Sequence, residues 1–138
     1  MSSQDLLKAL QNEKNEDLFK YTIKKINDIK NKVITNLPIY KKDKDKLKKK
    51  LKDYRFIGDL EDLKEGSYIR WIPLEKEEYF LTIGGFVVEV NFTENGILLS
   101  VKGINQSIFK IFFDKCILFQ KLNKQEQILL LTLDYLEK

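Results

Sequence analysis

The sequence predicts an α+β fold in which basic helices precede a small five-stranded SH3-like β-barrel and an apolar helix follows it. Charge is the first observation, since residues 1–52 carry a net +8 and residues 53–138 a net −4. The second is a change from helical to strand periodicity of the apolar residues after Gly58. The third is a helix-capping pair at the start of the C-terminal segment. The expected boundaries are a basic arm or hairpin over 1–55, a barrel over 56–122 and a helix over 123–138.

The N-terminal part predicts helices. Ser2 and Asp5 resemble a helix start before a short leucine stripe. A longer helix is expected from about Asp17 until Pro38, because proline cannot continue a helix. Its apolar face comprises Phe19, Ile23, Ile26, Ile29, Val33 and Leu37.

A second, lysine-rich helix is expected from about Asp43 to Tyr54, with a narrow apolar seam of Leu47, Leu51 and Tyr54. The short link that contains Pro38 favours either a helical hairpin or a projecting arm.

Short alternating segments separated by turn residues predict the barrel. Asn95-Gly96 is typical of a tight hairpin turn, after which Ile97, Leu99 and Val101 are expected to face the core. The expected strands are Ser67–Leu74, Tyr79–Phe92, Ile97–Lys102, Ser107–Phe113 and Cys116–Lys121.

Gly84-Gly85 interrupts the longest predicted strand. The apolar positions are odd before the glycines (Leu81, Ile83) and even after them (Phe86, Val88, Val90 and Phe92). Because a strand has a period of two, one inserted residue would keep both sets on one face. The pattern therefore predicts a β-bulge or sharp bend at the glycines and an inward-facing Val88.

The tail Asn123–Lys138 begins with Asn123 and Glu126 at capping-box spacing, which predicts a helix, with a terminal strand as the alternative. Its apolar residues cover more of the circumference than one core contact needs. The surplus favours packing on a protein partner or on a second copy in a homo-oligomer.

A lysine-rich run is the first candidate binding site. Lysine is a flexible point charge that suits nonspecific phosphate contact, whereas sequence readout normally relies on other side chains. An acidic protein surface and a solvated helix face that binds nothing are the alternatives, and an AT-rich genome would also enrich lysine. The candidate residues are Lys41, Lys42, Lys44, Lys46, Lys48, Lys49, Lys50 and Lys52.

Tyr68 and Arg70 form the second candidate site, a contact surface on the barrel. Strand alternation places both on the face opposite Ile69 and Trp71, and Trp71 is expected in the core. Small barrels use such surface residues to stack bases or to hold extended peptides.

No catalytic motif accompanies these features. The chain has no histidine and a single cysteine, which excludes histidine-dependent triads and most zinc sites. Cys116 is expected to be a structural thiol. Acidic clusters at Asp59–Glu65 and Glu75–Glu78 would serve a metal-dependent enzyme only if they converged. We therefore expect no enzyme activity, no catalytic or metal-binding residue and no cofactor.

The same composition bears on the cell compartment. One cysteine permits no intrachain disulfide, which favours an intracellular, reducing compartment. The apolar runs are too short to span a bilayer, so no membrane partner is expected.

Residues 58–122 also carry a recurring pattern, over Leu63–Ile72, Gly84–Phe86, Ile97–Leu99 and Ile117–Phe119. The pattern resembles small SH3-like or Tudor-like barrel domains in uncharacterised proteins of large double-stranded DNA viruses. The resemblance implies a barrel fold and a virion, virus-factory or host-cytoplasm setting, and it implies no catalytic residues.

Together these observations predict a non-enzymatic structural or adaptor protein. It would assemble through its barrel and C-terminal helix and contact nucleic acid through the lysine-rich helix. The alternative is a pure protein scaffold, such as a viral minor capsid or assembly component, and a metal-dependent enzyme is the third possibility.

Overall fold

The computed structural model describes residues 22–136 and confirms the α+β class. Within these residues it contains three α-helices and one antiparallel sheet of six strands. The predicted helix near Ser2 lies outside the described residues. The helices are α1 (Ile23–Thr35), α2 (Lys41–Lys50) and α3 (Lys124–Leu136), and the strands are β1 (Tyr54–Ile57), β2 (Tyr68–Pro73), β3 (Gly85–Thr93), β4 (Gly96–Lys102), β5 (Ile108–Phe112) and β6 (Cys116–Lys121).

The chain divides into two compact units. One contains α1 and α3, and the other is Leu37–Lys121, which contains α2 and the whole sheet. In the first unit, Ile26 of α1 packs in a buried cluster with Leu122, Leu129 and Leu130. The second unit carries both predicted binding sites.

The first described helix begins at Ile23, and the part of the predicted helix before Thr22 lies outside the described residues. The Thr22 hydroxyl accepts a hydrogen bond from the Lys25 N–H at 3.1 Å and caps α1, so the helix starts at Ile23. It ends at Thr35, shortly before Pro38, as predicted.

The lysine-rich helix ends earlier than predicted, because the chain turns after Lys50 and enters the sheet at Tyr54. α2 ends at Lys50, and a turn closed by the Tyr54 N–H and the Leu51 carbonyl (3.1 Å) leads directly into β1. The predicted helical assignment of Tyr54 is therefore wrong. Tyr54 and the next three residues pair with β6, and this long-range pairing overrides the local helical pattern.

The sheet has the strand order β1-β6-β2-β3-β4-β5, with β1 and β5 at its edges. It is open and has six strands, so the expected five-stranded barrel is not found. β1 is the additional strand. Sequence periodicity missed it because only five residues separate the lysine run from Gly58.

One face of the sheet holds the main core. β4 contributes Leu99 and Val101, both fully buried, and Ile97 packs against the same cluster, which confirms the prediction for this strand. Trp71 is also in this core, as predicted. The buried members of the cluster are Ile57, Ile69, Trp71, Val87, Leu99, Val101 and Leu118.

The predicted inward face of β3 is wrong. Val87 is fully buried, whereas Val88 is 48% exposed and Phe86 is 53% exposed. In the ladder between β3 and β4, the irregularity lies between Val87 and Glu89. This bulge brings Val90 back against the core, so the phase of the strand changes three residues later than the sequence pattern indicates.

The two glycines are needed for a different reason, which is close approach of backbone. Gly84 has φ +95°, a conformation that L side chains rarely adopt. A Cβ at Gly84 would collide with the carbonyl oxygen of Ile69 on β2. At Gly85 it would lie 2.5 Å from the carbonyl oxygen of Lys102 on β4.

The C-terminal helix has the predicted capping box. The Asn123 N–H donates to Glu126 Oε1 (3.0 Å), and the Glu126 N–H donates to Asn123 Oδ1 (2.8 Å). This reciprocal pair satisfies two donors at the helix start and excludes the terminal strand as the structure of this segment.

Candidate binding surfaces

The lysine-rich helix presents most of its charge to solvent. Leu51 is fully buried and Leu47 half-buried, so the apolar seam predicted from these two residues faces the protein. Lys44 and Lys48 flank the seam and are half-buried. The exposed lysines of the run are Lys41, Lys42, Lys46, Lys49, Lys50 and Lys52.

Four of these lysines form a ridge along one side of α2. Lys42, Lys46, Lys49 and Lys50 stand at i, i+4, i+7 and i+8, a spacing that places them on one helix face. At about 1.5 Å per residue the ridge is about 12 Å long. Duplex DNA carries one phosphate charge per about 1.7 Å of its axis, so the ridge can contact several phosphates together. We refer to these four residues as the lysine ridge.

Some of these charged residues also stabilise the helix. Lys48, Lys49 and Lys50 lie in the last turn of α2, and Asp43 lies in the first. Cations near a helix C-terminus and anions near its N-terminus interact favourably with the helix dipole, by about 0.3–1 kcal/mol each. A test of ligand binding must therefore separate the loss of charge from the loss of helix stability.

Tyr68 and Arg70 lie on the sheet face opposite Trp71, and both are half-buried. The Tyr68 hydroxyl donates to the Ile83 carbonyl (2.7 Å), and Arg70 Nε donates to the Thr82 carbonyl (2.8 Å). The Tyr68 ring also meets the ring of Phe86 edge to face, with centroids 5.0 Å apart. These contacts hold the segment before β3 against β2, and a role for the two residues in binding a partner stays a prediction.

The single cysteine is half-buried at the start of β6. Its Sγ donates to the Phe112 carbonyl at 3.0 Å. Burial, together with the nearby Glu75 carboxylate, raises the pKa of the Cys116 thiol to about 11. The thiol is therefore protonated at neutral pH and is a weak nucleophile.

The acidic clusters do not converge. No group of three or more metal-binding side chains forms among residues 22–136. In the first cluster Asp62 is buried, whereas Asp59, Glu61 and Glu65 are exposed.

A buried amide holds this acidic segment to the sheet. Gln120 Oε1 accepts hydrogen bonds from the Lys64 N–H (2.8 Å) and the Ser67 hydroxyl (2.9 Å). Arg55 Nη2 donates to the Asp62 carbonyl at 3.1 Å. The position of the segment thus has a structural explanation in the packing of the sheet.

A groove along β5 is the surface that the sequence did not indicate. It has a volume of about 680 Å³ and lies between β5 and the segment that precedes β3. Exposed Phe80 and Phe109 line it above the buried Trp71. Phe80 and Phe109 are 29 positions apart in the sequence, so no local spacing could have placed them together.

Comparisons of the chain with protein-family models, curated proteins and solved structures gave no significant match. The resemblance of residues 58–122 to viral barrel domains therefore stays a prediction. Among the described helices, none has the length and apolar character that crossing a bilayer requires.

Proposed function

We propose that this chain is a non-enzymatic adaptor whose lysine ridge binds the nucleic-acid backbone without sequence preference. The observation that supports the proposal is the exposure of Lys42, Lys46, Lys49 and Lys50 on a helix whose opposite side is anchored by Leu51. The turn that joins α2 to β1 holds the ridge on the sheet unit, so the four charges are presented together. Preorganised charge of this kind gives electrostatic, sequence-independent affinity.

The rest of the sheet unit favours assembly with protein. Residues 53–121 of this unit carry 8 Lys/Arg and 11 Asp/Glu, a net charge of −3, which opposes phosphate binding at its other surfaces. The adaptor would therefore use α2 for nucleic acid and other surfaces for protein.

A pure protein scaffold is the second candidate, and α3 carries the observation that favours it. Leu131, Tyr135 and Leu136 are 55%, 77% and 71% exposed. An apolar helix face of this kind fits a protein partner or a second copy. In this function the lysine ridge would contact an acidic protein surface.

The relationship to SH3-like barrels and the viral setting are also proposals. Contact of the Trp71 ring on β2 with the Phe109 ring on β5, across two intervening strands of the open sheet, supports a relationship to small SH3-like barrels. The resemblance to viral barrel domains would suit a structural role in a virion or virus factory, within a reducing compartment.

The direct test compares two variants with equal changes of charge. In the first, Lys42, Lys46, Lys49 and Lys50 are all replaced by Gln, which keeps the helix propensity of the positions. In the matched control, four exposed lysines of the other unit, Lys24, Lys25, Lys32 and Lys124, are replaced by Gln. Fluorescence anisotropy with labelled single- and double-stranded DNA at low salt gives the affinities.

We expect the ridge variant to lose about tenfold or more in affinity and the control to lose much less. Equal losses would indicate that only net charge matters and would contradict the lysine ridge as the site. No binding by the unmodified chain would favour the scaffold. Far-UV circular dichroism establishes whether α2 persists in the ridge variant.

A further inference from the structure

The groove beside β5 follows the edge of that strand. Four consecutive residues of β5, Phe109–Phe112, line it. Since alternate side chains of a strand point to opposite faces, a cavity over one face would contact only every second residue. Contact with all four indicates that the groove runs along the strand edge.

The walls of the groove are apolar and exposed. Phe80 is 49% exposed, Ile83 71% and Phe109 48%, and Trp71 forms the buried floor. The Trp71 and Phe109 rings meet edge to face with centroids 6.4 Å apart. Aromatic walls of this kind accept apolar side chains of a ligand.

The edge of β5 offers main-chain hydrogen bonds. Among the described strands β5 pairs only with β4. The Gly103 N–H donates to the Ser107 carbonyl (2.8 Å), and the antiparallel alternation from this pair gives Phe109 and Ile111 the bonds to β4. The N–H and C=O groups of Ile108 and Lys110 then point away from β4, and Lys110 is the one of these two residues that lines the groove.

Charge at the groove is positive. Lys76, Lys110 and Lys115 line it with one acidic residue, Glu75, which forms an ion pair with Lys115 at 3.4 Å. Lys110 lies on the face of β5 opposite Phe109 and Ile111. A strand added to this edge would thus meet an apolar surface on one face and a lysine on the other.

We infer that the groove binds an extended segment of a partner protein in which apolar side chains alternate with acidic ones. The segment would pair with β5 through the outward main-chain groups of Ile108 and Lys110, in the manner of strand addition. Its apolar side chains would contact Phe80, Phe109 and Trp71, and its acidic side chains would face Lys110.

A peptide fits the edge better than a nucleic acid does. The edge presents carbonyl oxygens as well as N–H groups, and the carbonyls have no partner on a phosphodiester backbone. A peptide backbone supplies both a donor and an acceptor at each residue.

The test uses the full chain and a synthetic peptide, Glu-Ile-Glu-Phe-Glu-Ile-Glu with blocked ends. Trp71 is the only tryptophan and forms the groove floor, so its emission reports occupancy. A peptide of the same composition with the four Glu residues in one block lacks the alternation and serves as the control ligand. We expect saturable binding of the alternating peptide, about tenfold tighter than the control.

Two pairs of variants locate the site. Phe80→Ser removes a groove wall, and Phe92→Ser, at a 78% exposed position outside the groove, is its control. Lys110→Pro removes one outward N–H at a position where β4 receives no bond, and Lys110→Gln keeps the N–H. We expect Phe80→Ser and Lys110→Pro to weaken binding about tenfold and Phe92→Ser to leave it unchanged. Lys110→Gln should lose only the salt-dependent part of the affinity for the peptide.

The inference would be overturned by equal binding of the two peptides, by no change of Trp71 emission, or by an oligonucleotide that competes for the groove. Self-association of the chain that Phe80→Ser abolishes would assign the groove to a second copy and would also overturn it. If circular dichroism shows that Lys110→Pro does not fold, the comparison of Phe80→Ser with Phe92→Ser still tests whether the groove binds the peptide.

Discussion

The rings of Trp71 and Phe109 lie edge to face with centroids 6.4 Å apart, although two strands separate β2 from β5 in the sheet. Neighbouring strands are about 4.8 Å apart, so β2 and β5 would lie roughly 14 Å apart in a flat sheet. The contact therefore requires the sheet to curl about its core face. This curl forms the groove beside β5 and places the only tryptophan at its floor.

Val87→Asp is expected to unfold the sheet unit. Val87 is fully buried in the core, and an unpaired carboxylate there costs several kcal/mol. Val88→Asp, at the adjacent exposed position, is the matched control and should change the free energy of unfolding by about 0.5 kcal/mol or less. Urea denaturation measures both. The reverse order would show that β3 has the register that the sequence pattern indicated.

Gly84→Ala is expected to destabilise the chain more than Gly66→Ala. Both glycines have positive φ, so each substitution incurs about 1–2 kcal/mol of backbone strain. A Cβ at Gly66 meets nothing within 4 Å, whereas at Gly84 it collides with the Ile69 carbonyl. Thermal unfolding of the two variants compares them, and equal losses would contradict the close approach of β2 at Gly84.

Alkylation of Cys116 by iodoacetamide is expected to be slow at neutral pH and to accelerate toward pH 11. The pKa of its thiol is raised to about 11 from the ordinary 9.0, chiefly by burial. At pH 7 about one molecule in ten thousand therefore carries the thiolate. A rate profile with its midpoint near 9 would contradict the buried environment.

The raised pKa also predicts the direction of the stability change at high pH. The folded state favours the protonated thiol, so this contribution is complete below pH 9 and is lost as the pH rises toward 11. Burial raises the pKa of Tyr54 as well, and this adds a loss of the same sign at alkaline pH. Urea midpoints measured from pH 8 to pH 11 in the unmodified chain and in Cys116→Ala separate the two groups.

Local signals predicted several elements well. Asn123 and Glu126 form the capping box that their spacing indicated, and Pro38 follows the end of α1. β6 has the predicted bounds, Cys116–Lys121. Each of these features depends on residues close in sequence, so periodicity and capping rules are sufficient.

Long-range strand pairing determined the features that the sequence pattern did not predict. Tyr54 continues a helical pattern, yet its strand partner is Lys121 on β6. The inward phase of β3 depends on a bulge after Val87 that no glycine marks. The groove likewise joins Phe80 and Phe109 only because the sheet curls. A sequence pattern indicates which residues of a strand share a face, whereas pairing with the neighbouring strand determines the register of that strand.

The salt dependence of the DNA affinity is the most direct test of whether the lysine ridge binds the nucleic-acid backbone. Each phosphate neutralised contributes about −0.9 to the slope of log K against log salt for duplex DNA. We expect a slope of about −3 to −4 for the four lysines and a slope near zero after their replacement by Gln. A shallow slope in the unmodified chain, or a steep slope that survives the replacement, would contradict phosphate binding by the lysine ridge.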